Sequence, residues 1–491
     1  MKRNESNRLA LPLCLLSWFC GQPSLQAQEA VPSGLPASSP EVKYLVTQEE
    51  LDALEADLMA TVKENQGRLC PRPVLRGKAL PGSGQNDLAG VLEGKENEAC
   101  YKAAGGKDAD ALWAWLEQPS HDSGPPAGIV KACRGLPAAV SHATRHEDAC
   151  SPYLVGRRAM PSLVRLLRLS WVLAMNVRML ADAGKTAAAL ALAFDGLRLF
   201  QDLSRGAGAP YATGTVGGAA WHVIVTRGIG PTLSAALPSP DLLARITQEV
   251  EVLLATEPAF CDFLPELRYG PVLLWYLPVL KGEGWVPPGG FEADMTKPAS
   301  VPGGPPFGSR EWNDAALHWL VAERRHRELE KACSGQSRPV ALAKAFDDVF
   351  VAASQRCRRN KCRRVIFTLL AAEPILELRE MLLDGMERSE GPWYVHPVVN
   401  YQARTFWLQA LRLQLEFLAV RARTGKCPVE ADLADSSWEP LLEDCASGEP
   451  MLVAVAKDGS VAIRPSVAFS TAVPARSWWK PRIPEYTFVC K

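Results

Sequence analysis

Residues 162–184 read SLVRLLRLSWVLAMNVRMLADAG, and residues 185–206 read KTAAALALAFDGLRLFQDLSRG. Each stretch is about twenty residues long and closes on a glycine, Gly184 or Gly206, placed where a left-handed C-terminal cap would sit. The joint between them is too short for anything but a tight reversal, so the two helices should lie antiparallel. Arg165, Arg168 and Arg178 interrupt the apolar run from Leu163 to Met179, which argues for a helix packed in protein rather than in lipid.

Working outward, further helices are expected at 215–229, 239–256 and 262–281, then at 310–332, 339–356, 364–388 and 398–424. Upstream, Thr47 with Glu50 forms a capping box, and Leu51, Leu54, Leu58 and Val62 follow at helical spacing up to Gly67. Residues 285–309 form a Pro/Gly-rich insertion of the kind that is either a binding loop or disordered. Near the C-terminus, MLVAVA and VAIRP flank Asp458-Gly459, a turn dipeptide that predicts a β-hairpin; VAFSTAV and YTFVC could add strands. The expected fold is mainly α: antiparallel helix pairs, helical-repeat-like, with a small C-terminal α+β tail. The divisions are a cysteine-bearing region at 45–155, helical segments at 156–284 and 310–397, and the tail at 398–491.

The N-terminus bears on the compartment. Lys2, Arg3 and Arg8 precede the apolar run Leu9–Cys20, and polar GQPSLQA leads to Ala27. Residues 1–27 therefore read as a secretory signal peptide, and 28–44 as a Pro/Ser-rich disordered leader. The expectation is an exported protein, periplasmic or extracellular, and not transmembrane once the signal is cleaved. The chain balances 54 basic against 54 acidic residues, and losing the signal leaves it slightly acidic. That balance gives no reason to expect nucleic acid as a partner.

Thirteen cysteines less Cys14 and Cys20 leave an odd set, and in an oxidising compartment these are disulfides first. Cys70, Cys100, Cys133 and Cys150 lie in a region read as loop-rich because Pro71, Pro73 and Pro81 exclude long helices early on. Sequence proximity favours Cys70–Cys100 and Cys133–Cys150. Cys357 and Cys362, in CRRNKCRR, are too far apart along a continuous helix to bond, so a staple between them needs a turn near Asn360. Unpaired thiols, a metal clip and a redox pair are the alternatives. Arg356, Arg358, Arg359, Lys361, Arg363 and Arg364 make a candidate patch for an anionic envelope polymer.

Catalytic patterns are sparse. AGKTAAA lacks the first glycine of a phosphate loop, Met179 standing in that position, and it joins two helices rather than following a strand. GAGAPYATGTVGG has no GxGxxG, and no GxSxG elbow occurs. His142 and His146, in SHATRHED, are four apart and could share one face as metal ligands, but the HExxH order is missing and a polar surface turn between Cys133 and Cys150 is the favoured reading. His318 and His326 read as surface or interhelix residues. Glu266 could be a buried carboxylate or an arginine partner, and Trp275, Tyr276 and Trp285 could line a groove. No catalytic residue and no cofactor is implied.

The segment from about 398 to 456 resembles the C-terminal part of type II secretion G-type pseudopilins, with Gly425-Lys426-Cys427-Pro428 at the Gly-x-Tyr-Pro turn and Asp444 to Pro450 approaching the hairpin. Cysteine replaces the usual tyrosine at Cys427, and a second cysteine, Cys445, follows Asp444. The resemblance, with that double departure, implies a Cys427–Cys445 disulfide. It carries over neither filament assembly nor calcium. The middle, about 160–281, resembles exported helix-rich bacterial proteins with this kind of tail, which implies architecture but no activity. The functional expectation is a non-catalytic binding or scaffold protein of the bacterial cell envelope, its partner an envelope protein or polymer. The alternative is an envelope hydrolase whose site is assembled from distant residues, Glu266 or His142 and His146 among them.

Overall fold

A computed structural model describes residues 48–118, 124–151, 163–205, 215–235, 237–258, 260–263, 277–281, parts of 323–334, 395–444, 448–465 and 485–490. Helix α1 (Gln48–Leu69) buries Leu51, Leu54 and Leu58 on one face. Strand β1 (Leu80–Ser83) then precedes five short helices, α2 (Gln85–Glu93), α3 (Lys95–Gly105), α4 (Ala109–Glu117), α5 (Ala127–Ala132) and α6 (Leu136–Ala143). A three-residue strand β2 (His146–Asp148) returns parallel to β1. The region read as loop-rich is therefore helical in one- to three-turn pieces. Prolines exclude long helices, but Pro137 at the start of α6 suits a first turn, where its missing N–H costs nothing.

The helix pair is α7 (Leu163–Asp182) and α8 (Thr186–Leu203), packed against each other. Gly184 sits at φ 72°, its N–H donates to Ala181, and Lys185 N–H donates to Leu180. That pairing is a Schellman cap, and it ends α7 where the sequence placed the end. Gly206 lies outside the described residues. Between the helices, a Cβ on Gly196 would stand 3.1 Å from Ile224 and 3.2 Å from Leu173, so glycine permits the close approach.

Helix α9 (Thr215–Val223) continues through a π-helical turn (Ile224–Ile229) into α10 (Gly230–Ala235). Helix α11 (Pro240–Ala255) begins at Ser239, whose hydroxyl accepts the Leu242 N–H. The expected helix at 262–281 is described only as a 3-10 turn, Phe260–Phe263, and one turn of helix, α12 (Leu277–Leu280). The long helix α13 (Val395–Thr424) lies against α9 and α11 and stops at Gly425, φ 75°. A single turn, α14 (Glu439–Leu442), leads to the tail sheet.

That sheet has the antiparallel order β3 (Leu452–Val455), β4 (Ser460–Arg464), β5 (Tyr486–Val489). Val455 faces Val461 across the turn, Gly459 adopts φ 81°, and the Asp458 carboxylate accepts the Ser460 N–H. The expected hairpin is present, and YTFVC supplies the third strand. Tyr486 is buried beneath α13, its hydroxyl hydrogen-bonded to Gln414. One apolar cluster runs from Leu88 through both members of the helix pair to Cys490, so the N-terminal region, the pair and the tail share a core. No helix among the described residues is long and apolar enough to cross a membrane.

Four disulfides close the described chain, and three correct the expected pairings. Cys70 bonds Cys150, and Cys100 bonds Cys133. Proximity in sequence failed because β2 runs beside β1 and Pro71 bridges to Asp148, which carries Cys150 back to Cys70 across 80 positions. Cys427 bonds Cys490, not Cys445, because β5 brings the C-terminus to the end of α13. Cys261–Cys333 was not anticipated. Cys357, Cys362, Cys445, the basic patch at 356–364 and the insertion 285–309 lie outside the described residues.

Candidate metal centre

His146 opens β2, His142 occupies the last turn of α6, and Asp87 the first turn of α2. Their ligating atoms all lie within 4.8 Å of one another. His146 Nε2 is 2.7 Å from Asp87 Oδ2, and His142 Nε2 is 3.4 Å from the same oxygen. The two imidazoles meet edge to face with centroids 6.0 Å apart. His146 is almost wholly enclosed, at 7% side-chain exposure, whereas Asp87 (38%) and His142 (57%) face solvent.

The backbone explains how His146 is held. Its Nδ1 lies 3.2 Å from the Gly82 carbonyl oxygen, the geometry of a donated hydrogen bond. Gly84 donates its N–H to Asp148, and a Cβ there would come 3.0 Å from the His146 Cβ. Any larger residue at Gly84 would push the ring back by a few tenths of an ångström, so glycine lets the α2 entrance close over it. The segment carrying both histidines is tied covalently at each end, Cys133 to Cys100 in α3 and Cys150 to Cys70.

Beneath the centre lies a network of buried charge. Arg72 pairs with Asp202 through Nε to Oδ1 at 2.9 Å and Nη2 to Oδ2 at 2.5 Å, and it also donates to the carbonyls of Thr144 and His146. Arg76 bridges Asp195 and Glu249 and donates to the Ala191 carbonyl, while Ser141 donates to Asp195 at 2.6 Å. Residues on both sides of the histidines are thus clamped to α8. Burial raises the Glu249 carboxyl to about 7, with Arg76 opposing and Asp195 reinforcing the shift. Burial likewise raises Asp195, against the pull of Arg76.

Deeper in, Arg404 pairs with Glu257 at 2.8 Å, donates to Ser204 and stacks over Trp221. Arg205 reaches the carbonyls of Leu69 and Thr256. Arg198 donates to Gln201 and Thr256, but its Nε and Nη2 have no hydrogen-bond partner. Burial lowers Arg198 to about 9, with Asp202 acting in the opposite direction.

The sequence named His142 and His146 and found no third ligand; the structure supplies Asp87 and shows that His146 is interior rather than part of a polar surface turn. His326, by contrast, is buried with Nε2 3.0 Å from Glu330 one turn along. Glu266, His318, Trp275, Tyr276 and Trp285 lie outside the described residues. No protein-family model, no curated protein and no solved structure matches the chain.

Proposed function

We propose that this is an exported, non-catalytic binding or scaffold protein of the bacterial cell envelope, carrying a signal peptide at 1–27 and a pseudopilin-like tail at about 398–456, and engaging an envelope protein or polymer. The observation that carries the proposal is how the interior uses its charges. Arg72, Arg76, Arg205 and Arg404 join backbone carbonyls and carboxylates contributed by separate segments, so these charges serve to hold the body together. Four disulfides support an oxidising compartment.

The test is capture from envelope extract under non-reducing conditions, comparing the native chain with one shortened at 285–308. The proposal expects a saturable partner held by the native chain and lost by the shortened one. No saturable partner, or undiminished capture by the shortened chain, contradicts it.

A second proposal, a metal-dependent envelope hydrolase, is favoured by one observation: three titratable side chains do converge, at Asp87, His142 and His146. Hydrolysis of simple esters by the zinc-loaded chain, abolished in D87N, would replace the first proposal with this one.

A further inference from the structure

We propose that Asp87, His142 and His146 bind one divalent cation of the zinc class, in a site with an open coordination position. Two imidazole nitrogens and one carboxylate oxygen are the donor set that zinc and its neighbours prefer; magnesium and calcium take oxygen-rich sets, and copper(I) wants sulfur. The sulfurs nearest in sequence, Cys133 and Cys150, are consumed in disulfides.

Hydrogen-bond inventory supplies the second argument. His146 faces an acceptor at each ring nitrogen, the Gly82 carbonyl at Nδ1 and the Asp87 carboxylate at Nε2. A neutral imidazole has a single N–H and can satisfy one of them. The Nε2–H tautomer satisfies Asp87 and leaves the Gly82 carbonyl unmet, whereas the Nδ1–H tautomer with a cation between Nε2 and Oδ2 satisfies both. With Nδ1–H donated to a backbone carbonyl, the Nε2 lone pair is already aimed at that point, which is the usual outer support of a metal-ligating histidine.

Spacing agrees. Around a tetrahedral ion with bonds of ~2.0–2.1 Å, donor atoms stand ~3.3 Å apart. His142 Nε2 and Asp87 Oδ2 are already 3.4 Å apart. The 2.7 Å contact of His146 with Asp87 must open by about half an ångström, a small turn of an exposed carboxylate. Rigid His146 would anchor the ion, and solvent-facing Asp87 and His142 would close on it. Three protein ligands with one exposed flank leave a position for water or for a donor from a binding partner.

The experiment uses the full, oxidised chain without a polyhistidine tag, stripped with chelator. Zinc is titrated by calorimetry, cobalt(II) by its visible absorption, and melting is followed with and without metal. The proposal expects one equivalent bound at micromolar or tighter affinity, cobalt bands of a low-coordinate site, and a melting point raised by zinc. H142A alters an exposed side chain and D87N a partly exposed one that stays nearly isosteric, so both should fold, as their metal-free melting would verify. Each should weaken zinc at least about tenfold and cancel its effect on melting. Failure to saturate at one equivalent, or undiminished binding in either variant, overturns the site. Capture of a partner and titration of zinc read separate properties, so either proposal can fail alone.

Discussion

Arg72 and Asp202 are 130 positions apart and meet as a two-pronged ion pair with both side chains buried. The pair ties the region of short helices to the long helix pair, with which it also shares one apolar core. Arg72 also holds the carbonyls of Thr144 and His146, so it is a positioning residue for the imidazole of the metal centre.

Breaking this pair from either side should be costly, because the surviving charge stays buried. R72M leaves Asp202 without its partner and orphans two carbonyls; D202N leaves Arg72, Arg198, Arg205 and Arg404 with Glu257 as the nearby carboxylate. Each change should cost about 3–5 kcal/mol in urea unfolding with disulfides intact. The double variant should cost less than the two singles together, with a coupling of ~1–3 kcal/mol. Strict additivity would mean that the pair does not act as a unit.

Arg198 should behave in the opposite way. Its guanidinium is fully buried, attracted by Asp202 and Glu257 but repelled by Arg72 and Arg205, and has two nitrogens without a hydrogen-bond partner. Arg198 forms no direct ion pair with a carboxylate among the described residues, and Asp202 keeps Arg72, so removing this charge avoids the cost of orphaning a buried partner and relieves its own desolvation. R198M should therefore unfold at the same urea concentration as the native chain or higher. A loss comparable to that of R72M would show that Arg198 is structurally required.

Two buried groups should make opposed contributions to the pH dependence of stability. Burial raises Glu249 from 4.5 to about 7, so the folded state holds its proton where the unfolded state has lost it. Its contribution is greatest below pH 4.5 and is lost as the pH rises toward 7. Burial, aided by Arg227, lowers His222 from 6.5 to about 4, where it lies against Trp407. Its contribution is present above pH 6.5 and is lost as the pH falls toward 4. Between about pH 4.5 and 6.5 the two slopes, each up to ~1.4 kcal/mol per pH unit, oppose one another. Relative to the native chain, E249Q should gain stability more steeply as pH rises, and H222Q should lose it more steeply. Parallel profiles for all three proteins would contradict both assignments.

What could be read from the sequence follows the length of each pattern. The α7–α8 pair was legible because about twenty residues of helical pattern end on Gly184, whose position suits the left-handed cap it makes. The hairpin was legible because Asp458-Gly459 carries its own turn chemistry. Helices α2 to α6 were missed because pieces of 6 to 11 residues hold too few turns for a period to stand out. Strand β2, read HED, has no apolar alternation; backbone pairing with β1 makes it a strand, and that pairing sets the Cys70–Cys150 bond. Asp87 escaped notice because its link to His146 spans 59 positions and no local spacing marks it. The one available signal was the glycine-dense PGSG ahead of it, where Gly82 turns at φ 82° and presents its carbonyl to the ring, and Gly84 leaves the ring room.

The most direct test of an oxidised, exported body is peptide mapping under non-reducing conditions of protein isolated from the envelope fraction with thiols blocked at lysis. The account predicts linked peptides joining Cys70 to Cys150, Cys100 to Cys133, Cys261 to Cys333 and Cys427 to Cys490. Recovery of the chain from the cytosol with these cysteines alkylated, or of Cys70 linked to Cys100, would contradict it.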